Sequence, residues 1–219
     1  MESKKSSWDY LWYALYAFAG LGVEIVLLSL LEPMLFGGIS SSNYSEIQRI
    51  IHWLLTSLCW GTIAILLVRN AKKKLSLHVI SKMKPTKQGI VISIVLVFIC
   101  IVLNAFDWGT LKVIGEFQKK GILLFTFQYI YYLFEVVLVF LIVVFGQKFF
   151  ETLVKRTSLI PWGGLVLCCT WGAVHILTKG SISTGIGVMI FAFLYGIIYL
   201  LLNRNSRYAY WAMVIAFII

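Results

Sequence analysis

The chain has 219 residues, of which 60% are hydrophobic and 13% are charged, and it carries a formal net charge of +10. Ordinary globular domains carry about a quarter charged residues, so this composition excludes a water-soluble domain. The hydrophobic residues stand in long blocks, and blocks of about 18 or more can cross a bilayer as helices. We therefore predict an all-α protein, a polytopic transmembrane helical bundle that forms one integral membrane domain over residues 1–219.

Six blocks are long enough to be membrane spans. In chain order they cover residues 8–36, 50–68, 89–106, 122–146, 159–177 and 184–202. A seventh stretch, residues 208–219, is about 18 Å long as a helix, so we predict a half-span or part of a seventh helix. The first block is too long for the apolar core of a signal peptide and contains Glu24, so we predict that it is retained.

Lysine and arginine are unevenly divided between the two sides of this predicted topology. Fourteen of the 19 fall in the N-terminus and in the second, fourth and sixth loops, and five fall in the other loops. Basic residues are enriched in cytoplasmic loops, so the N-terminus is predicted to be cytoplasmic. The same rule accounts for the net charge. The predicted partner is therefore the lipid bilayer, and no nucleic acid is expected.

Few ionisable side chains lie within the predicted spans, and residues of this kind mark functional sites by default. Glu135 lies in the middle of the fourth span, Glu24 in the outer half of the first, and His175 about one turn from the outer end of the fifth. Three more ionisable residues lie near the outer boundary: Glu32, His52 and Asp107.

The alternating topology places four of these residues at similar depth on four helices: Glu32, His52, Asp107 and His175. We predict Glu24, Glu32, His52 and Asp107 as binding residues. Two histidines with carboxylates suit a metal site or acid–base chemistry. We expect no cofactor other than a metal ion bound by this set. The alternative is a set of separate interfacial residues, each bonded to headgroups or to backbone carbonyls. The four cysteines fall in predicted spans without metal-ligand spacing, so neither a disulfide framework nor a zinc ribbon is predicted.

Glu135 has no basic residue within one helical turn. One interpretation is structural, with a protonated carboxyl that is hydrogen-bonded to a tyrosine or to another helix. The other is functional, with Glu135 and His175 as catalytic residues or Glu135 as a proton-coupled transport site.

Residues 120–219 resemble the CAAX-protease and bacteriocin-processing (CPBP, or Abi) family of intramembrane proteases. That family has a Glu-Glu-x-x-x-Arg motif, then a helix ending in Phe-x-x-x-His, then a helix with His-x-x-x-Asn/Asp. The second element resembles SLIPWGGLVLCCTWGAVHIL, with Trp171 in place of the phenylalanine and His175 as the histidine. The third resembles the glycine-containing helix, polar hairpin and aromatic last helix of FAFLYGIIYLLLNRNSRYAYWAMVIAFII.

The resemblance implies the fold of that family and an incomplete catalytic set. Leu141 and Ile142 stand at the positions of the two glutamates, and Gly146 or Gln147 stands at the arginine. Ala216 or Phe217 stands at the second histidine. A shifted alignment would let Glu135 replace one glutamate, but a single carboxylate cannot reproduce a pair.

Three functions follow from these observations. The first is a pseudoprotease, a catalytically incomplete relative that binds another membrane protein, a peptide or a lipid. The second is a proton-coupled or small-solute transporter with Glu24, Glu135 and His175 along its path. The third is an active CPBP-type intramembrane endopeptidase that uses Glu135 and His175.

Overall fold

The computed structural model describes residues 6–219, and every regular element in that range is helical. The α-helices are α1 (Ser7–Val26), α2 (Glu32–Leu35), α3 (Glu46–Leu75), α4 (Lys87–Trp108), α5 (Lys112–Leu153), α6 (Trp162–Leu167), α7 (Ala173–Lys179), α8 (Ile182–Leu201) and α9 (Ser206–Ile218). Two π-helical segments, Leu27–Leu31 and Cys168–Gly172, join α1 to α2 and α6 to α7, and a short 3-10 turn covers Ser41–Asn43. Two lysines counted for the predicted orientation, Lys4 and Lys5, lie outside the described residues.

Five helices are long and apolar enough to cross a membrane. They are Ser7–Leu35, Glu46–Leu75, Lys87–Trp108, Lys112–Leu153 and Ile182–Leu201. The predicted span 159–177 corresponds to a run of three short helical pieces between residues 162 and 179, and the last predicted stretch corresponds to the 13-residue α9. The prediction of an all-helical membrane protein is confirmed at this level.

Local sequence accounts for where several helices begin. Ser6 and Asp9 form a capping box at the start of α1, and Ser45 and Gln48 form another at the start of α3. In each box, the serine side chain accepts a hydrogen bond from a backbone N–H of the first turn. The side chain of Asp9 or Gln48 in turn accepts a hydrogen bond from the backbone N–H of the serine. These bonds satisfy donors that a helix start leaves unpaired.

The long helix α5 is the centre of the bundle and packs against α1, α3, α6 and α9. Nearly every side chain from Val136 to Phe149 is buried, as expected for a helix that is hydrophobic on all sides. Gly121 breaks the helix near its start, with a φ of 68° that favours glycine. This break falls one residue before the predicted start of the fourth span.

Lipid is the natural environment of the outer helix surfaces. On α4 only Gly89, Ser93 and Cys100 are buried, whereas large apolar side chains such as Ile94 and Phe98 are more than 60% exposed. A soluble protein rarely leaves such continuous apolar surface in water. The apolar exterior therefore supports a bilayer environment.

Candidate functional site

A buried histidine bridges two carboxylates between the first and third helices. His52 Nδ1 lies 2.7 Å from Glu32 Oε1, and His52 Nε2 lies 3.2 Å from Glu24 Oε1. Tyr131 of α5 donates its hydroxyl to Glu24 Oε1 at 2.8 Å. We call these four residues the His52 cluster.

Four helices, α1, α2, α3 and α5, each contribute one residue to the His52 cluster. The capping box of α3 begins that helix six residues before His52, so the imidazole lies within about two turns of the helix end. Trp60, only 1% exposed, packs its ring 4.8 Å from the ring of Tyr131 and fixes that side chain against α3.

The π-helical segment after α1 brings Glu24 and Glu32 to one histidine. An α-helix turns about 100° per residue, so two residues eight apart would differ in direction by about 80°. A π-helix has wider turns and rotates less per residue. The segment Leu27–Leu31 lies between the two glutamates and therefore turns their side chains toward a common face.

Within the His52 cluster, the three residues that share the two His52 contacts become more buried in the order Glu24, His52, Glu32. The side chain of Glu24 is 29% exposed, that of His52 is 10% exposed and that of Glu32 is fully buried. Glu32 Oε2 and the hydroxyl of Tyr44 are both buried without a hydrogen-bond partner among the described residues. Burial and the nearby Glu32 carboxylate raise the pKa of Tyr44 above its ordinary value.

The contacts of His52 with Glu32 and with Glu24 can both be hydrogen bonds only if each contains a proton. His52, Glu24 and Glu32 must therefore hold two protons between them. One arrangement is an imidazolium between two carboxylates, and the other is a neutral imidazole that donates to one carboxylate and accepts from a protonated one. Both arrangements have a net charge of −1. A proton can therefore move within the His52 cluster without a change of charge, whereas loss of a proton to solvent leaves one contact without a hydrogen bond.

Glu135 and His175 are both hydrogen-bonded to Trp171. Trp171 donates its indole N–H to Glu135 Oε1 at 3.3 Å, and the Trp171 carbonyl lies 2.6 Å from His175 Nδ1. Trp171 belongs to the second π-helical segment. This is the hydrogen bond from another helix that the structural interpretation of Glu135 predicted, and it places Trp171 between the two predicted catalytic residues.

The predicted binding residues are brought together only in part. Glu24, Glu32 and His52 meet, whereas Asp107 is exposed near the end of α4 and makes no hydrogen bond to them within residues 6–219. His175 bonds to Trp171 rather than to the His52 cluster. No group of three or more histidine, cysteine, aspartate or glutamate side chains in the described part of the chain has the arrangement of a metal site.

A second buried polar cluster surrounds Glu116. The sequence analysis did not predict Glu116 as a site residue. Glu116 is 1% exposed and accepts hydrogen bonds from Lys120, Gln128 and Tyr132. Lys120 also bonds to Gln128. The i, i+4 spacing of Glu116 and Lys120 could have predicted their ion pair from the sequence. The contact with Gln128 could not be predicted in this way, because it depends on the break in α5 at Gly121.

The carbonyls of residues 216–219, at the end of α9 and just after it, are bonded to other helices. Asn104 donates to Ala216 at 3.1 Å, and Tyr129 donates to Ile218 at 3.1 Å. The other two carbonyls are those of Phe217 and Ile219, and both are bonded by Lys112, through Nζ at 2.8 Å and through its backbone N–H at 3.1 Å. Carbonyls at a helix end have no partner within the helix. Here the bundle supplies four donors, which hold the end of α9 against α4 and α5.

Comparison with protein-family models, with curated proteins and with solved structures gave no match.

Proposed function

We propose that this protein is a proton-coupled membrane transporter in which the His52 cluster takes up and releases the coupling proton. The single observation that carries the proposal is the hydrogen-bonded series Glu32, His52, Glu24, with Tyr131 at its end. Ionisable groups held together inside a helical bundle are typical of proton relays in pumps and transporters. In the proposed orientation, with a cytoplasmic N-terminus, six spans and a terminal half-span, this series lies in the outer half of the bilayer.

The graded exposure supports a direction for proton entry. Glu24, with 29% of its side chain exposed, is the more accessible end of the series, and Glu32, nearer the outer boundary of the first span, is its fully buried end. His52 connects them because its two ring nitrogens face different carboxylates. A proton that enters at Glu24 passes to Glu32 by a shift of protons on the imidazole.

The two π-helical segments support coupling of the proton to a movement of helices. One lies between Glu24 and Glu32, and the other contains Trp171, which bonds to Glu135. Interrupted helices at ion sites are a recurring device of secondary transporters, and π-helical turns often occur at functional sites.

A direct test is to record charge movement after a pH jump across proteoliposomes adsorbed on a solid-supported membrane. The wild-type protein should give a transient proton current. Glu24→Gln and His52→Gln should each abolish it because neither replacement ionises. Glu46→Gln changes an exposed glutamate at the start of α3 and is the matched control. A wild-type signal equal to that of protein-free liposomes, or variants that keep the full current, would contradict the proposal.

A second candidate function is binding of an apolar membrane segment or lipid by a catalytically incomplete relative of the CPBP family. It is favoured by an apolar groove of about 290 Å³ whose lining includes Val68 of α3, Leu141 of α5 and Trp211 of α9. Leu141 stands where the resemblance would place a catalytic glutamate. An endopeptidase that uses Glu135 and His175 receives less support, because each is bonded to Trp171.

A further inference from the structure

A cleft opens at the opposite end of the bundle from the His52 cluster. It has a volume of about 520 Å³ and lies between the first three turns of α1 and the last turns of α3. Its lining includes Asp9, Trp12, Tyr13, Tyr16, Asn70 and Lys74. A volume of a few hundred Å³ suits a small ligand or a lipid headgroup.

One wall of the cleft is aromatic and acidic. The rings of Trp12 and Tyr16 stack with centroids 6.1 Å apart and an angle of 27° between their planes. Trp12 and Tyr16 are 57% and 51% exposed, so the rings are open to a ligand. Aromatic faces attract ammonium groups through their quadrupole. Asp9, in the same lining, adds a negative charge that favours such a cation.

The facing wall presents a cation and an amide from α3. Lys74 and Asn70 are one helical turn apart, so both side chains lie on the same face of the helix. Both are exposed and make no side-chain hydrogen bond within residues 6–219. An ammonium donor beside an amide donor suits a phosphate oxygen.

We propose that this cleft binds the headgroup of a zwitterionic phospholipid. The ammonium group lies against Trp12 and Tyr16 beside Asp9, and the phosphodiester accepts hydrogen bonds from Lys74 and Asn70. The cleft lies at helix ends that carry tryptophan and tyrosine, and such residues concentrate at the headgroup level of a bilayer. A purely anionic headgroup would leave Asp9 and the aromatic wall without a cation.

The test uses the purified full-length chain in detergent with soluble short-chain lipids. Binding of dihexanoyl phosphatidylcholine, phosphatidylethanolamine and phosphatidylglycerol is measured by native mass spectrometry. We expect the first two to bind more tightly than the third. Trp12→Leu, Tyr16→Leu, Asp9→Asn and Lys74→Gln should each weaken binding of the zwitterionic lipids about fivefold, the change expected from one lost contact of this kind.

Two matched variants change similar residues outside the cleft lining. Trp8→Leu removes a tryptophan that is 57% exposed, and Lys73→Gln removes the lysine next to Lys74. Both should bind the zwitterionic lipids as the wild type does. Equal losses in the cleft and control variants, or tighter binding of phosphatidylglycerol, would overturn the proposal. Asp9 also belongs to the capping box of α1, so if Asp9→Asn unfolds early, Tyr16→Leu at an exposed position decides the outcome.

Discussion

Trp171 donates its indole N–H to the carboxylate of Glu135 across 3.3 Å, and its own carbonyl lies 2.6 Å from His175 Nδ1. The residues are 36 positions apart in the first contact and four apart in the second, so one residue, through its side chain and its backbone carbonyl, links the two residues that the sequence analysis proposed as catalytic. Glu135 is thus held by a neutral donor from a neighbouring helix.

We expect Glu135 to be a structural residue. Glu135→Gln preserves an acceptor for Trp171 and should fold and transport almost normally. Glu135→Leu loses the hydrogen bond and should lower stability by about 0.5–2 kcal/mol, the range for such bonds between membrane helices. Thermal unfolding and the pH-jump current should be measured on the same two preparations. A stable Glu135→Gln protein without current would assign Glu135 a proton-carrying role instead.

The orientation can be tested by cysteine labelling. In a variant that lacks Cys59, Cys100, Cys168 and Cys169, Ile80→Cys should react with an impermeant maleimide only from the cytoplasmic side. Ser42→Cys should react only from outside. Both positions are exposed, and the expected result follows from the 14 to 5 division of basic residues. Labelling in the opposite sense would reverse the topology and the direction proposed for proton entry.

Proteolysis by the mechanism of the CPBP family is not expected. The resemblance to that family would place Leu141, Ile142 and Phe217 where its mechanism needs ionisable groups, and aliphatic or phenyl side chains can neither activate water nor stabilise an oxyanion. Purified protein incubated with prenylated and unmodified peptides should give no cleavage above background, as measured by mass spectrometry. Cleavage that disappears in His175→Ala would refute this expectation.

Gly163 should tolerate no side chain. A Cβ atom there would lie 2.1 Å from the backbone carbonyl oxygen of Val143 on α5, so α6 would have to move away from the central helix. Gly163→Ala should lower stability by about 1–3 kcal/mol or more. Gly187→Ala is the control because no described atom lies within 4 Å of a Cβ there. Similar unfolding temperatures for the two variants would show that α6 is not closely packed.

Lys112 should be important for docking the end of α9. Its Nζ donates to the Phe217 carbonyl and lies 4.2 Å from the Phe217 ring centroid. Lys112→Met leaves that part-buried carbonyl without its side-chain donor and should lower the free energy of unfolding by about 1–3 kcal/mol, as measured by thermal unfolding. Lys119→Met removes an exposed lysine on the same helix and should cost less than about 1 kcal/mol. Equal effects would mean that the Lys112 side chain does not contribute to holding α9.

The sequence by itself determined the class of fold and much of the helix pattern. Long apolar blocks must form helices in a bilayer, because every backbone N–H and C=O group in lipid needs a hydrogen-bond partner within the protein. The capping residues Ser6, Ser45 and Thr86 mark the starts of three helices through local bonds that need no tertiary contact.

Only the tertiary structure decided which polar residues meet. The positions of Glu32 and His52 along their spans predicted that they lie at similar depth in the membrane. Depth alone does not show in which direction around the helix axis each side chain points. That direction depends on the π-helical turn before Glu32, and the choice of Tyr131 as the next partner depends on how α5 packs against α1 and α3. Asp107 has a similar predicted depth and faces away, because α4 packs against α8 and α9 rather than beside the His52 cluster.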